Sequence, residues 1–323
     1  MADENNTPRH SRLAFAPERY INPYTDFGFK RLFGTEMNKD LLVSFLDSLL
    51  GGEQEPITDV QYLNSERLGE GYGDRRAVFD VYCETSSGSK FIVEMQKAEQ
   101  RFFKDRSLYY STLPIREQAP RGNWDYRLKN VYTVGILDFV FPDNEYPDDS
   151  FRHEVKLMDV EDNHVFYDKL TFVYLEMPKF SKGEHQLSTM FDKWMYVLHN
   201  LSRLLDRPRA LQDRIFTKLF EQAEIAKYTP EERREYETSV KEYRDYINTV
   251  DTAHLRGKEE GYAEGMQAGE AKGRAEGRAE GVAEGELKER AATIRRMRAA
   301  GMTTEQIAQA TGLDADEVCR SGE

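Results

Sequence analysis

Residues Ala77 to Lys97 read AVFDVYCETSSGSKFIVEMQK, and the fold turns on how this stretch doubles back. Both arms are rich in Val, Ile, Phe and Tyr, and Ser86-Ser87-Gly88-Ser89 separates them, the pattern of two β-strands joined by a tight turn. Strand side chains alternate between faces. The spacing predicts Phe79, Val81 and Cys83 on one face, with Val78, Asp80, Tyr82 and Glu84 on the other. In the second arm Phe91, Val93 and Met95 oppose Ile92, Glu94 and Gln96. A three-residue loop, Ser86-Ser87-Gly88 with Gly88 left-handed, pairs Thr85 with Ser89. That register sets Asp80 across from Glu94 and Val78 across from Gln96. A four-residue loop shifts the pairing by one and sends the two acids to opposite faces.

Directly opposed β-carbons lie ~5 Å apart, and like charges so placed repel. The pair makes sense if both carboxylates grip one divalent cation. Hard oxygen ligands with water left in the shell suit Mg²⁺ or Mn²⁺, and such an ion activates water and stabilises charge on a phosphate. The alternative is a solvent-facing strand edge whose acids pair with Lys90 and Lys97.

Asp80, a hairpin, Glu94-x-Gln96 and a following helix resemble the PD-(D/E)XK nuclease core, and more closely the Rpn type, the recombination-promoting nucleases and transposases. Thr25-Asp26-Phe27-Gly28-Phe29-Lys30-Arg31-Leu32-Phe33-Gly34 resembles the opening segment of that family. Asp105-Arg106-Ser107-Leu108-Tyr109-Tyr110 resembles its helix after the site. Gly122-Asn123-Trp124-Asp125-Tyr126, the strand Val131 to Asp138, Leu175-Glu176-Met177-Pro178-Lys179-Phe180 and Asp192-Lys193-Trp194 also fit, so the likeness covers residues 20 to 255. It implies an α/β, restriction-endonuclease-like core of order α-β-β-β-α-β. It also implies metal-dependent hydrolysis of phosphodiester bonds in DNA, with Asp80 and Glu94 holding Mg²⁺ (or Mn²⁺). Gln96 stands where the superfamily name has Lys. An amide brings no positive charge and only hydrogen-bonds, so Gln96 is expected to place the attacking water. Arg106 or Lys97 is expected to hold a phosphate. Asp26, on the first helix, is a lesser metal candidate or else a helix cap in competition with Thr25. Tyr109 and Tyr110 read as core aromatics, with one hydroxyl able to face the cleft. Gln118, near the end of its helix, is a weaker polar candidate.

The chain has 323 residues, 39% of them hydrophobic, with 18 Phe and 18 Tyr, enough for a substantial core. Cys83 and Cys319 offer no disulfide framework, and a reducing, cytoplasmic setting is expected. No stretch approaches a membrane span, so no membrane partner is expected, and the polar start Met1 to Asn6 is no signal peptide. The six His residues lack zinc-like spacing. A net charge of −13 opposes nucleic-acid binding except through a local basic cleft, for which Lys97, Arg101, Lys104 and Arg106 are the nearest cations. The competing reading is therefore a catalytically weak or inactive nuclease-fold protein acting as an oligomeric interaction module.

Residues 1–19 read as a disordered lead, 20–180 as the core and 181–256 as a helical extension. Within the core, residues 24–50 read as one or two helices split near Gly34 and stopped by Gly51-Gly52. Residues 57–66 read as the first strand, followed by a polar loop over 69–74. Phe102 to Ala119 reads as a helix and Val131 to Val140 as a buried central strand. An acidic loop over 142–149 precedes strands at 151–160 and 170–175. Helices follow over 187–205, with Trp194 as core, over 211–226, and from Pro230 to about His254. From Gly257 to Gly285 a glycine recurs every fourth residue, over a 257–286 repeat read as a helix or a linker. Each Gly costs about 1 kcal/mol against Ala in a helix, and small residues let another backbone approach. The repeat is thus a candidate for homo-oligomer formation. Residues 287–323 resemble a small helix-turn-helix through Gln306-Ile307-Ala308, Thr311-Gly312-Leu313 and Val318. Asp314, Asp316 and Glu317 on its would-be reading helix repel phosphate, which favours a helical cap.

Overall fold

The computed structural model describes residues 18–50, 56–67, 77–119, 122–141, 147 and 150–320. The lead expected to be disordered, as far as residue 17, the helix stop expected at Gly51-Gly52, the loop expected over 69–74 and most of that expected over 142–149 lie outside the described residues. The chain divides into two compact units, Met1–Val250 and Asp251–Glu323.

The first unit opens with helix α1 (Asp26–Phe33), whose N-cap Thr25 accepts from the Gly28 N–H. Gly34 ends it, a short 3₁₀ turn (Glu36–Asn38) follows, and α2 (Lys39–Leu50) buries Leu41, Leu42, Phe45, Leu46 and Leu49 on one stripe. Strands β1 (Val60–Tyr62), β2 (Glu66–Arg67), β3 (Ala77–Val78), β4 (Val81–Thr85) and β5 (Lys90–Gln96) come next. Helix α3 (Phe103–Glu117) then leads to β6 (Val131–Leu137), and β7 (Arg152–Asp159) and β8 (His164–Glu176) form a hairpin. Six strands make one mixed sheet of order β1-β4-β5-β6-β8-β7, with β5, β6 and β8 parallel; β2 and β3 form a separate two-stranded ladder. The sheet is flanked by helices, an α/β arrangement that agrees with the restriction-endonuclease-like expectation. The strand expected over 57–66 is two short pieces, and β8 begins at His164 rather than Leu170.

One face of the sheet offers Val81, Cys83, Phe91, Val93, Met95, Val134 and Val173 to a core completed by α1, α2, α4 (Met190–Asn200) and α5 (Arg214–Ala223). Trp194 of α4 is fully buried, ringed by Phe33, Phe45 and Phe216, with its indole N–H donating to Ser44 Oγ at 3.1 Å. The other face, carrying Ile92, Tyr82, Leu137, Phe172 and Tyr174, packs on α3 through Phe103, Tyr110 and Leu113. All seven residues of β6 are buried, because both faces of this central strand are covered. Beside the C-terminal end of β8, Glu176 is buried and accepts from Phe141 N–H, His153 Nε2 (2.9 Å) and Lys179 Nζ (2.6 Å). Every side of that carboxylate is engaged, which binds the ends of β6, β7 and β8 together.

Helix α6 starts at Pro230, after a Thr229/Glu232 capping box, and runs without interruption to Ala299. The end expected near His254 is absent, and the glycines from 257 to 285 all lie within the helix. In the second unit Ile294 of α6 meets Ile307 of α7 (Thr304–Thr311) and Val318 of α8 (Ala315–Arg320). Asp316 and Glu317 of α8 are exposed, and Gly312 (φ +72°) makes the turn between the two short helices.

Candidate active site

The turn after β4 decides the geometry. Gly88 sits at φ +86°, in the left-handed region where only glycine rests without strain. It closes a three-residue loop, so Thr85 N–H bonds to Ser89 O at 2.9 Å and Val81, Tyr82, Cys83 and Glu84 pair with Val93, Ile92, Phe91 and Lys90. Continuing that register brings Asp80 to the level of Glu94. A contact accompanies the approach: Asp80 Oδ2 accepts from the N–H of Met95, the residue after Glu94, at 2.8 Å. Val78, however, does not lie across from Gln96. The first arm breaks at Phe79-Asp80; Val78 pairs with Glu66, and Gln96 pairs with Leu137. The break also turns Phe79 over to join Tyr82 and Ile92 rather than Val81 and Cys83. Lys90 pairs with Glu84 at 3.0 Å, so it does not neutralise the acids.

Glu94 stands near the C-terminal end of β5, level with Gly135 of β6, where a Cβ would come within 3.0 Å of the Tyr174 ring. Small size there keeps β6 and β8 flush beside the site. The Gln96 side-chain amide donates to Glu94 Oε2 at 3.0 Å and accepts at Oε1 from Arg106 at 2.6 Å. Arg106 also bonds Gln100 and lies over the rings of Phe103 and Tyr110. Gln96 thus bridges a carboxylate to a guanidinium, which an amide can do because it both donates and accepts.

Burial pushes Glu94 upward from the ordinary carboxylate range, and the neighbouring charge of Asp80 adds to the rise; Arg106, the Asp80 N–H and Gln96 oppose it. Asp80 is raised too, first by burial, against the pull of the Met95 N–H, Lys30 and Lys97. Glu94 Oε1 is buried without a hydrogen-bond partner. A buried lone oxygen on a carboxylate beside a second carboxylate is an expensive arrangement. The donor set, two acids with room for water, suits Mg²⁺ or Mn²⁺.

A cavity of about 380 Å³ is lined by Asp80, Glu94, Met95, Gln96, Lys97, Gln100, Arg106, Tyr110, Glu242 and Tyr246. Of the lesser candidates, Lys97, Arg106 and Tyr110 therefore face the same space. Asp26 borders the adjoining cavity with Asp80 and pairs with Lys30 at 3.0 Å; the cap of α1 is Thr25, not Asp26. Gln118 is elsewhere: its amide fastens the end of α3 to Lys129 N–H at 2.7 Å. Arg101 stacks over Phe102 and Lys104 over Phe141, so of the four expected cations two reach the cleft. Tyr109 is about half exposed rather than core. Glu242 and Tyr246 of α6 also line this space, and the sequence does not point to them. Nothing local in their sequence marks them, because only packing of α6 against α1 brings them to Asp80.

Among the described residues a tight carboxylate–His cluster, Asp159, Asp162 and His164, stands at the turn between β7 and β8. It lies toward the N-terminal end of β8, whereas Glu94 is level with Tyr174 near the other end. Asp159 Oδ1 there accepts from the Glu161 and Asp162 N–H groups as a local turn cap.

No helix among the described residues is long and apolar enough to cross a membrane. No curated protein and no solved structure matches the chain. A family model described as PD-(D/E)XK nuclease family transposase matches residues 23–253. That span holds α1, the whole six-stranded sheet, the Asp80–Glu94 pair and the part of α6 that lines the cleft, and the chain belongs to the PD-(D/E)XK nuclease family transposases.

Proposed function

We propose that the chain is a Mg²⁺-dependent endonuclease that hydrolyses phosphodiester bonds in DNA, of the recombination-promoting Rpn type. The observation that carries this reading is Glu94 Oε1, buried and unpartnered beside Asp80. Two buried acids at one point are tolerable as ligands and costly as anything else. Asp80 and Glu94 would hold the ion, which when bound supplies an activated water and charge stabilisation at phosphorus. Gln96 holds Glu94 at one end and Arg106 at the other, so it positions a ligand rather than a free water. Arg106 and Lys97 furnish positive charge to a phosphate in the cleft. Gln96 brings no charge of its own, which places the electrostatic work on the metal and on these two cations.

The two cysteines are free, Cys83 buried and Cys319 exposed, which supports a reducing, cytoplasmic setting. Self-association through Gly257–Gly285 is part of the same proposal. Eight glycines inside one helix weaken it, and among the described residues nothing beyond the helix's own neighbouring backbone lies within 4 Å of where their β-carbons would be. A second backbone is the partner such a surface suits.

Plasmid cleavage tests the reading. Wild type is expected to nick or linearise DNA with Mg²⁺ and not with chelator, and Asp80→Ala to be inert while keeping its circular dichroism. A folded wild type that cuts neither DNA nor RNA with Mg²⁺ or Mn²⁺ would leave the interaction-module reading in its place.

A further inference from the structure

Two cavities meet at Asp80. The larger, about 760 Å³, runs along α1 and the first turns of α6; the smaller holds Glu94, Gln96 and Arg106. Asp80 and Glu242 are the two residues that line both, so Glu242 stands at the neck between them. The helix that carries it is fastened on either side. Ser239 Oγ accepts from the Phe27 N–H at 3.1 Å, Tyr243 OH donates to Asp138 Oδ2 at 2.7 Å, and Arg31 pairs with Glu232 at 2.9 Å. Tyr236 and Ile247 on the same stretch are buried. Asp138 is itself tied to the site strand, since its N–H donates to Gln96 O at 2.9 Å. The helix backbone is therefore held in place here, and the exposed Glu242 side chain lines the cleft that Asp80 and Glu94 also line.

An acid lining a phosphate path is unfavourable unless it has work there, because it repels the substrate. Hydrolysis has one role still unfilled: the attacking water must lose a proton. Asp80 and Glu94 are assigned to the ion. Gln96 is an amide with both ends engaged, and an amide takes no proton. Lys97 and Arg106 are cations. Among the described residues lining the smaller cavity, Glu242 is the remaining carboxylate.

We propose that Glu242 is the general base of the reaction, an inference that rests on the phosphodiester-hydrolysis reading above. As a lone pair of the water oxygen forms the new bond to phosphorus, the Glu242 carboxylate takes the water proton. The bond from phosphorus to the leaving oxygen breaks with its electron pair, and solvent protonates that oxygen. A base supplied by a helix far along the chain replaces what the strand residue Gln96 cannot do.

The test compares full-length wild type, Glu242→Gln, Glu242→Asp and Glu242→Ala in plasmid cleavage with Mg²⁺, alongside Mn²⁺ titration calorimetry of each. Glu242→Gln is expected to lower kcat by about 10²–10⁴-fold, with KM and Mn²⁺ affinity essentially unchanged, and Glu242→Asp to recover part of the loss. Three results would overturn the assignment. Undiminished cutting by Glu242→Gln removes the base; faster cutting by Glu242→Ala makes the acid a barrier to phosphate; a parallel loss of Mn²⁺ affinity makes it a ligand. A wild type that does not cut fails the underlying reading and this assignment with it, whereas a cutting wild type with an unimpaired Gln variant fails Glu242 alone.

Discussion

Asp80→Asn is the perturbation whose consequences the site geometry fixes most fully. Two carboxylates whose opposed β-carbons lie ~5 Å apart repel by about 3 kcal/mol at an effective dielectric of 20 when their charges keep that separation. Part of that is relieved when one of them takes a proton, so the metal-free protein carries about 1–3 kcal/mol of strain from the pair at neutral pH. Asparagine keeps an oxygen for the Met95 N–H, now at 2.8 Å from Asp80 Oδ2, and removes the like charge. The metal-free variant is therefore expected to be more stable than wild type by about 1–3 kcal/mol, a rise in Tm of roughly 2–6 °C at this size. The pH dependence has a definite sign. Both folded-state values are raised, so the pair's own contribution to the stability of metal-free wild type is fully present below the ordinary carboxylate range and is lost as pH rises through the raised values. Divalent ion is expected to reverse that loss in wild type, since binding to the folded state alone would add about 2.7 kcal/mol at a hundredfold excess over Kd. Asp80→Asn should show a flatter pH profile and little response to the ion. Differential scanning calorimetry in chelator and in Mn²⁺, from pH ~5 to ~8, measures all of this. A variant less stable than wild type in chelator at the upper pH, or a wild type indifferent to metal, would refute the reasoning.

Other consequences follow from single contacts. Gly135→Ala drives a methyl to 3.0 Å from the Tyr174 ring and 3.3 Å from Leu137, and is expected to cost about 1–3 kcal/mol in urea denaturation. Arg106→Lys keeps a charge but loses the fork that reaches Gln96 and Gln100 together, so kcat for plasmid cleavage should fall about tenfold or more while Mn²⁺ affinity falls less. A chain ending at Arg256 should lose self-association in analytical ultracentrifugation yet keep the cutting activity, because the cleft is built within Met1–Val250; an unchanged sedimentation profile would remove the role proposed for the glycine repeat.

The hairpin was legible because its signals are local. Alternation of apolar residues marks the arms, and Gly88 fixes a three-residue loop, which alone puts Asp80 beside Glu94. The apolar run of β6 and the Pro230 start of α6 are equally local, and were readable for the same reason, whereas the choice between Asp26 and Thr25 as the cap of α1 was settled only by the fold, for Thr25. Phe79 and Val78 were not legible: the β2–β3 ladder pulls Val78 away from β5, and its partner, Glu66 at the end of the stretch read as the first strand, is named by no local pattern. The end of α6 was misplaced because intrinsic propensity counts each glycine as a break, whereas the helix continues through all of them.

By itself, then, the chain determined a pair of acids on neighbouring strands, an E-x-Q in place of a lysine, and a four-residue glycine rhythm. Which groups meet those acids was decided in three dimensions. Arg106 reaches Gln96 because α3 lies across the sheet, and Glu242 reaches the neck beside Asp80 because α6 is fastened to α1 and to Asp138. Spacing along a strand or helix constrains neighbours within a few residues, since it follows from backbone geometry. Contacts between elements hundreds of residues apart follow from which apolar faces bury together, and no short stretch of sequence contains that information.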